Sequence, residues 1–179
     1  MKKWIALLRG INVGGHNILP MAKLKRDLES LNLKNVRTYI QSGNVVFDST
    51  ARTPSSLSRK IARQIEQQYG FRPHLLILSQ EDLLTAIEAN PFPAAVSDPR
   101  TLHFFFLAEP ASDPNAKALE SAKSSTEQYE LTDGVFYLYA PDGIGRSRLA
   151  ANAEKHLGVV TTARNYRTVD KLVSMIAAG

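Results

Sequence analysis

What most limits the fold of this chain is an order of elements that its sequence spells out twice. Apolar periodicity and turn residues give strand, helix, strand, strand, helix, strand, helix through Ile87, and the same order again from Leu102. In the first half, Trp4–Leu8 is a short apolar run that predicts a strand buried on both faces. Pro20 can open a helix in which Met21, Leu24, Leu28 and Leu31 share one face. Val36–Ile40 and Asn44–Asp48 are β-prone, and Gln41-Ser42-Gly43 between them predicts a hairpin. Thr53 and Pro54 start the next helix and Gly70 lies past its end. His74–Leu78 follows as a strand, and Ser79-Gln80-Glu81-Asp82 has the form of a capping box with Asp in place of Glu.

The second half reads as strand Leu102–Leu107, a helix from Asp113-Pro114 through Lys123, and strands Gln128–Leu131 and Val135–Tyr139 about an Asp133-Gly134 turn. A glycine-rich loop, Pro141–Arg146, then leads into a helix ending near Gly158, a strand from Val159 toward Asn165, and a final helix capped by Thr168. Because β-α-β-β-α-β is the ferredoxin-like unit, the expected fold is α+β with two tandem ferredoxin-like units, each followed by an extra helix. The units are expected at residues 1–90 and 100–179, sharing an interface, with the proline-rich stretch Asn90–Pro99 between them. The order repeats without residue identity, so an internal duplication is expected at the level of architecture. A single mixed sheet using all the strands is the alternative.

Charge separates the halves further. The net charge of +5 arises from 13 Lys+Arg against four Asp+Glu up to Ser79, and nine against 13 from Gln80 onward. Such asymmetry suits a polyanionic partner for the first half, or attraction between the halves. The absence of cysteine excludes a disulfide framework and thiolate metal sites, and fits a reducing cytoplasm. The apolar run after Lys2-Lys3 ends at Arg9, and no span approaches the roughly 20 residues of a membrane helix, so a cytoplasmic, unprocessed protein without a membrane partner is expected.

Arginine, asparagine and glycine mark the candidate site. Three glycines follow the first strand in Arg9-Gly10-Ile11-Asn12-Val13-Gly14-Gly15, where the backbone is free to approach a ligand or merely to cross to the next helix. With Arg9, Asn12, Gly14 and Gly15, the candidate ligand-binding residues are Gln41, Ser42 and Asn44 in the hairpin, Ser147 and Arg148 at a helix start, and Arg164 and Asn165 near the C-terminus. Guanidinium groups and helix N-termini both suit phosphate or carboxylate, so the expected partner is an anionic small molecule such as a nucleotide or phosphorylated metabolite, held between the two units. The plain structural alternative is turn glycines and side chains that satisfy loop backbone.

Other chemistry finds less support. No Gly-Lys-Ser/Thr follows the glycine loop and GxGxxG spacing is absent. His16, His74, His103 and His156 have no metal-ligand spacing, and Ser42 and Ser147 lack an identified base, so no metal, cofactor or catalytic residue is assigned. An enzyme acting on the anionic ligand is one alternative. A second is a nucleic-acid module in which Lys23, Lys25 and Arg26 of the first helix join Arg59, Lys60 and Arg63 of the second in a phosphate-tracking stripe; its own alternative is a solvated outer face of two amphipathic helices. The strand Asn44–Asp48 lacks the aromatic pattern with which sheet-based RNA binders stack bases.

Three segments together carry a family resemblance: Leu7–Gly15, Thr38–Phe47 and Thr162–Val169. They resemble the bacterial conserved hypothetical proteins catalogued as domain of unknown function 1697, across nearly the whole chain. Pro91-Phe92 and Gly143–Leu149 are similar to that family's smaller landmarks. The family's signature often carries Trp where this chain has Tyr166, and Lys where it has Arg148; both departures keep aromatic or positive character. The resemblance implies an α+β protein of this size and no activity. Taking the first and third strands of each unit as parallel neighbours puts Arg9 at the edge opposite Gln41, and Arg148 opposite Arg164. With the two units packed about an approximate two-fold, Arg9 and Asn12 are expected nearer Arg164 and Asn165 than Gln41.

Overall fold

The computed structural model describes residues Met1–Ala178, and these form six α-helices and eight strands in two four-stranded antiparallel sheets. The single mixed sheet is thereby excluded. The chain divides into one unit of Met1–Thr85 together with the stretch from Lys171, and a second of Ala86–Asp170.

The first unit runs β1 (Lys2–Arg9), α1 (Met21–Ser30), β2 (Lys34–Tyr39), β3 (Asn44–Ser49), α2 (Pro54–Tyr69) and β4 (His74–Ser79), followed by α3 (Gln80–Glu88), which crosses the division. Its sheet has the order β2-β3-β1-β4. Trp4, Ala6 and Leu8 of β1 pack with Leu24 and Leu28 of α1 and with Leu57, Ile61 and Ile65 of α2. Each leucine or isoleucine among them, removed from water, contributes roughly 1.5–3 kcal/mol. Ile5 and Leu7, alternating to the other sheet face, are also fully buried, as an uninterrupted apolar strand requires. Local signals set the helix ends. The Thr53 hydroxyl accepts from Ser56 N–H at 3.4 Å, Pro54 occupies the first turn, and Gly70 closes α2 in the left-handed region. At α3, Asp82 accepts from both the N–H and the hydroxyl of Ser79 at 2.7 Å, while Asp82 N–H returns to the Ser79 hydroxyl at 3.1 Å.

One expectation is corrected here. β1 and β3 are antiparallel, with Leu7 opposite Asn44, because β3 enters between β1 and β2 and runs against both. The end of β1 therefore meets the β2–β3 turn, on the side where Gln41 lies.

The second unit runs β5 (Leu102–Leu107), α4 (Ala116–Ala122), β6 (Gln128–Leu131), β7 (Val135–Tyr139), α5 (Arg148–Leu157) and β8 (Thr161–Asn165) into α6 (Tyr166–Ala177), with sheet order β6-β7-β5-β8. Phe105, Leu107, Phe136 and Leu138 pack against Leu119 of α4 and Leu149, Ala153 and Leu157 of α5. On the opposite face Phe104 meets Tyr137 edge-on with centroids 4.8 Å apart, and the Tyr137 hydroxyl donates to the Ala86 carbonyl at 2.7 Å. Two helix starts differ from expectation. α4 begins at Ala116 rather than at Asp113-Pro114, with Asn115 accepting from Ala118 N–H at 3.0 Å, and Asn165, rather than Thr168, caps α6 by accepting from Thr168 N–H at 3.0 Å. Asparagine's short amide reaches the third N–H of a helix as well as Asp or Thr does, so residue type alone did not rank them. Among the described residues no helix is long and apolar enough to cross a membrane.

Candidate functional site

In the first unit, the glycine loop is built around Asn12. Its side-chain amide donates to the carbonyls of Leu19 at 3.0 Å and Gln41 at 2.8 Å, and its side-chain oxygen accepts from Leu19 N–H at 2.7 Å. Both amide protons are thus engaged within the protein, and the loop is pinned to the hairpin. Asn17 repeats the device, its amide donating to the Gly10 carbonyl at 2.8 Å while its own carbonyl accepts from Asn12 N–H at 3.1 Å. Asn12 and Asn17 both hold positive φ, a conformation asparagine tolerates better than most residues. Gly14 and Gly15 are exposed and left-handed, with a Cβ at Gly15 meeting nothing within 4 Å, so backbone conformation and not close approach selects glycine there. Asn44 is fully buried and donates to the Tyr39 carbonyl and to the Ser42 hydroxyl at 2.9 Å. Arg9 ends β1 as an exposed side chain opposite His74. The expected separation of Asn12 from Gln41 is reversed: the two are hydrogen-bonded.

In the second unit, β7 ends at Tyr139 opposite Leu102, and β8 ends at Asn165 opposite His103. The loop that delivers Arg148 therefore leaves the end of the sheet that Arg164 and Asn165 reach, which corrects their expected placement at opposite edges. That loop forms a short 3-10 turn at Ile144–Arg146 and then α5, capped by the buried Ser147 hydroxyl, which accepts from Ala150 N–H at 2.9 Å. Beside it lies a cavity of about 420 Å³ whose lining includes Lys123, Ser124, Gly143, Arg146, Ser147 and Arg148. Two carboxylates also line it and both are occupied: Glu127 accepts from Ser124 N–H at 2.9 Å and Asp142 from the Thr126 hydroxyl at 2.6 Å. Lys123 pairs with Glu120 at 3.0 Å. Arg146 and Arg148 are exposed, and neither is paired with a carboxylate among the described residues. Arg164, half-buried on the aromatic face of β8, donates to the Ala163 carbonyl at 2.8 Å, and burial brings its guanidinium down to about 10. It remains a cation at neutral pH.

Residues 1–137 match the family described as Protein of unknown function (DUF1697). The chain belongs to that family. It is also similar to a solved structure, that of the conserved bacterial protein SP0830 from Streptococcus pneumoniae, with 30% identity, a TM-score of 0.75, and coverage of 97% of this chain and 98% of that one. A comparison with curated proteins finds no match.

The DUF1697 match takes in the glycine loop and the hairpin, whereas the cavity beside α5 and the Thr162–Val169 segment lie largely or wholly beyond its end. Of the candidate residues, seven sit in the first unit around the Asn12 pin, and Ser147, Arg148, Arg164 and Asn165 sit in the second. Ser147 and Arg148 line the same cavity as Lys123 and Arg146, neither of which stood among the candidate ligand-binding residues. Arg146 was legible as a second cation at the same helix start. Lys123 comes from just past α4, and no sequence signal links it to a loop about 20 residues away; only tertiary packing of α4 on α5 does so.

Proposed function

We propose that this DUF1697 protein binds an anionic small molecule, a nucleotide or phosphorylated metabolite, in the cavity beside the start of α5. The observation that carries this reading is the pair of arginines, Arg146 and Arg148, exposed at the rim of a cavity whose two acids already have donors of their own. A guanidinium offers several donors in one plane and matches phosphate or carboxylate oxygens two at a time. Lys123 and the hydroxyl of Ser124 add further donors on the facing side. The volume of about 420 Å³ falls in the range of small-molecule sites, roughly 300–1,000 Å³. We further infer that the architecture is a tandem of ferredoxin-like units produced by internal duplication, an inference supported by the matching strand orders β2-β3-β1-β4 and β6-β7-β5-β8. The lack of cysteine supports a cytoplasmic location.

A thermal-shift series with nucleoside phosphates, sugar phosphates and plain carboxylates tests the binding reading. A ligand present at about 100 times its dissociation constant adds about 2.7 kcal/mol, a rise of roughly 5 °C or more for a chain of this size. The rise is expected to vanish in Arg146→Gln/Arg148→Gln. No stabilisation by any of these compounds at millimolar concentration would overturn the reading.

A further inference from the structure

We infer that the outer face of α2 is a docking surface for the phosphate backbone of a nucleic-acid strand, a second site independent of the small-molecule cavity in the other unit. Arg59, Lys60, Arg63 and Arg72 line an open concavity of about 690 Å³ along this helix. The concavity draws no cation from α1: Leu31 is the α1-side residue in its lining, and Lys60 donates to the Leu31 carbonyl at 2.7 Å. The basic surface is therefore narrower than a stripe across both helices.

Glu66, which shares the lining, answers Arg72, but the rest of the charge on this face has no internal answer. All four acids of the first 79 residues are already engaged: Asp27 accepts from the Tyr69 hydroxyl at 2.6 Å, Glu29 pairs with Lys25 at 3.8 Å, Asp48 accepts from Asn35 at 2.6 Å, and Glu66 pairs with Arg72 at 3.2 Å. Arg59 and Arg63 are exposed and paired with no carboxylate among the described residues. They stand one helical turn apart, about 6 Å along the axis, and like charges at that spacing destabilise a helix until an anion lies between or over them. Ser56, Gln64 and Gln67 share the lining and are the residue types that add hydrogen bonds to phosphate and sugar oxygens. No aromatic side chain is in that lining, so the surface tracks the backbone and does not read bases.

The test is fluorescence anisotropy of the full chain with a labelled mixed-sequence single-stranded oligonucleotide, titrated at several salt concentrations. Wild type is expected to bind at low salt and to weaken steeply as salt rises. R59E/R63E should weaken binding roughly tenfold or more and lower the log–log salt slope by about 1.4, the loss of two phosphate contacts on a single strand. R59Q/R63Q should lower it in the same direction by less, and guards against a reversal that perturbs the helix. K117E/K155E, which makes the same change in net charge on exposed residues of the second unit, should change affinity less than about twofold. Absence of binding at 50 mM salt, or equal weakening by the two charge-reversal pairs, overturns the inference.

Discussion

In the loop after β1 the amide of Asn12 turns inward and holds Leu19 and Gln41, whereas in the loop before α5 the side chains of Arg146 and Arg148 stand exposed beside a cavity. Both loops are rich in glycine and polar residues, and both end in a helix. The difference lies in where the donors go. The first loop carries its polar groups as internal ties, with Asn17 returning to Gly10, and the hairpin it meets does the same with Asn44 returning to Tyr39. The second ties Asp142 to Thr126 and Ser147 to Ala150, and leaves its cations for something else. A distinctive sequence segment can thus mark a demanding backbone as readily as a binding site, and the hydrogen-bond inventory separates the two.

The largest expected effect breaks the first loop. Gly43 holds φ +78, and a Cβ there would lie 2.6 Å from Leu8 Cβ and 2.8 Å from Ile11 Cδ1. Ile11 can yield at its tip, but Leu8 Cβ is fixed to the central strand, whose N–H also donates to the Gly43 carbonyl at 2.8 Å. Gly43→Ala is expected to lose about 3 kcal/mol or more from overpacking and left-handed strain together, read from urea unfolding. A loss below 1 kcal/mol would show that the hairpin is not clamped against β1.

The second unit has its own buried polar liability. His103 is buried in β5 with Nδ1 lacking a partner, and burial, only partly opposed by a hydrogen bond with the Thr101 backbone, lowers its pKa from 6.5 to about 4. The native state keeps this imidazole neutral while the unfolded chain takes up a proton below pH 6.5. Stability is therefore retained above that value and falls as pH drops from 6.5 toward 4, by up to about 3 kcal/mol at 1.36 kcal/mol per pKa unit. Urea midpoints measured at pH 7, 5.5 and 4.5 should fall less steeply in His103→Leu than in wild type; parallel profiles would remove His103 as the cause.

Asn12→Ala tests the pin directly. It deletes three hydrogen bonds and places alanine at φ 54, for an expected loss of about 2–3 kcal/mol. Asn12→Gly restores the backbone preference without the bonds and should recover part of that loss. Equal losses in the two variants would assign the whole effect to hydrogen bonding.

These residues also show what the sequence could reveal. Thr53, Pro54 and Gly70 bracket α2, and Ser79 with Asp82 starts α3, because capping acts across three or four residues and is written locally. The strand order of each sheet, the meeting of Gly43 with Leu8, and the bond from Asn12 to Gln41 join residues about 30 or more apart, and pattern alone assigned β1 and β3 the wrong relative direction. The candidate residues were legible as a class because arginine, asparagine and glycine are unusual in such density. Their roles were not, since an amide that ties a loop and an amide that awaits a ligand are spelled alike.

The smallest stability effect is expected where the second loop differs most from the first. Arg146 and Arg148 make no ion pair among the described residues, and the Ser147 hydroxyl, not either guanidinium, caps α5. Arg146→Gln/Arg148→Gln keeps a polar side chain and a similar helix propensity while removing two charges, so unfolding free energy should stay within about 0.5 kcal/mol of wild type. Ser147→Ala supplies the scale on the same few residues: loss of the cap should cost about 1 kcal/mol and leave both arginines in place. If the arginine pair destabilises more than the cap variant, the guanidiniums are structural ties like Asn12, and the contrast between the two loops collapses. If the pair is neutral in urea yet abolishes the thermal shift with phosphorylated compounds, the two cations serve a ligand and nothing in the fold.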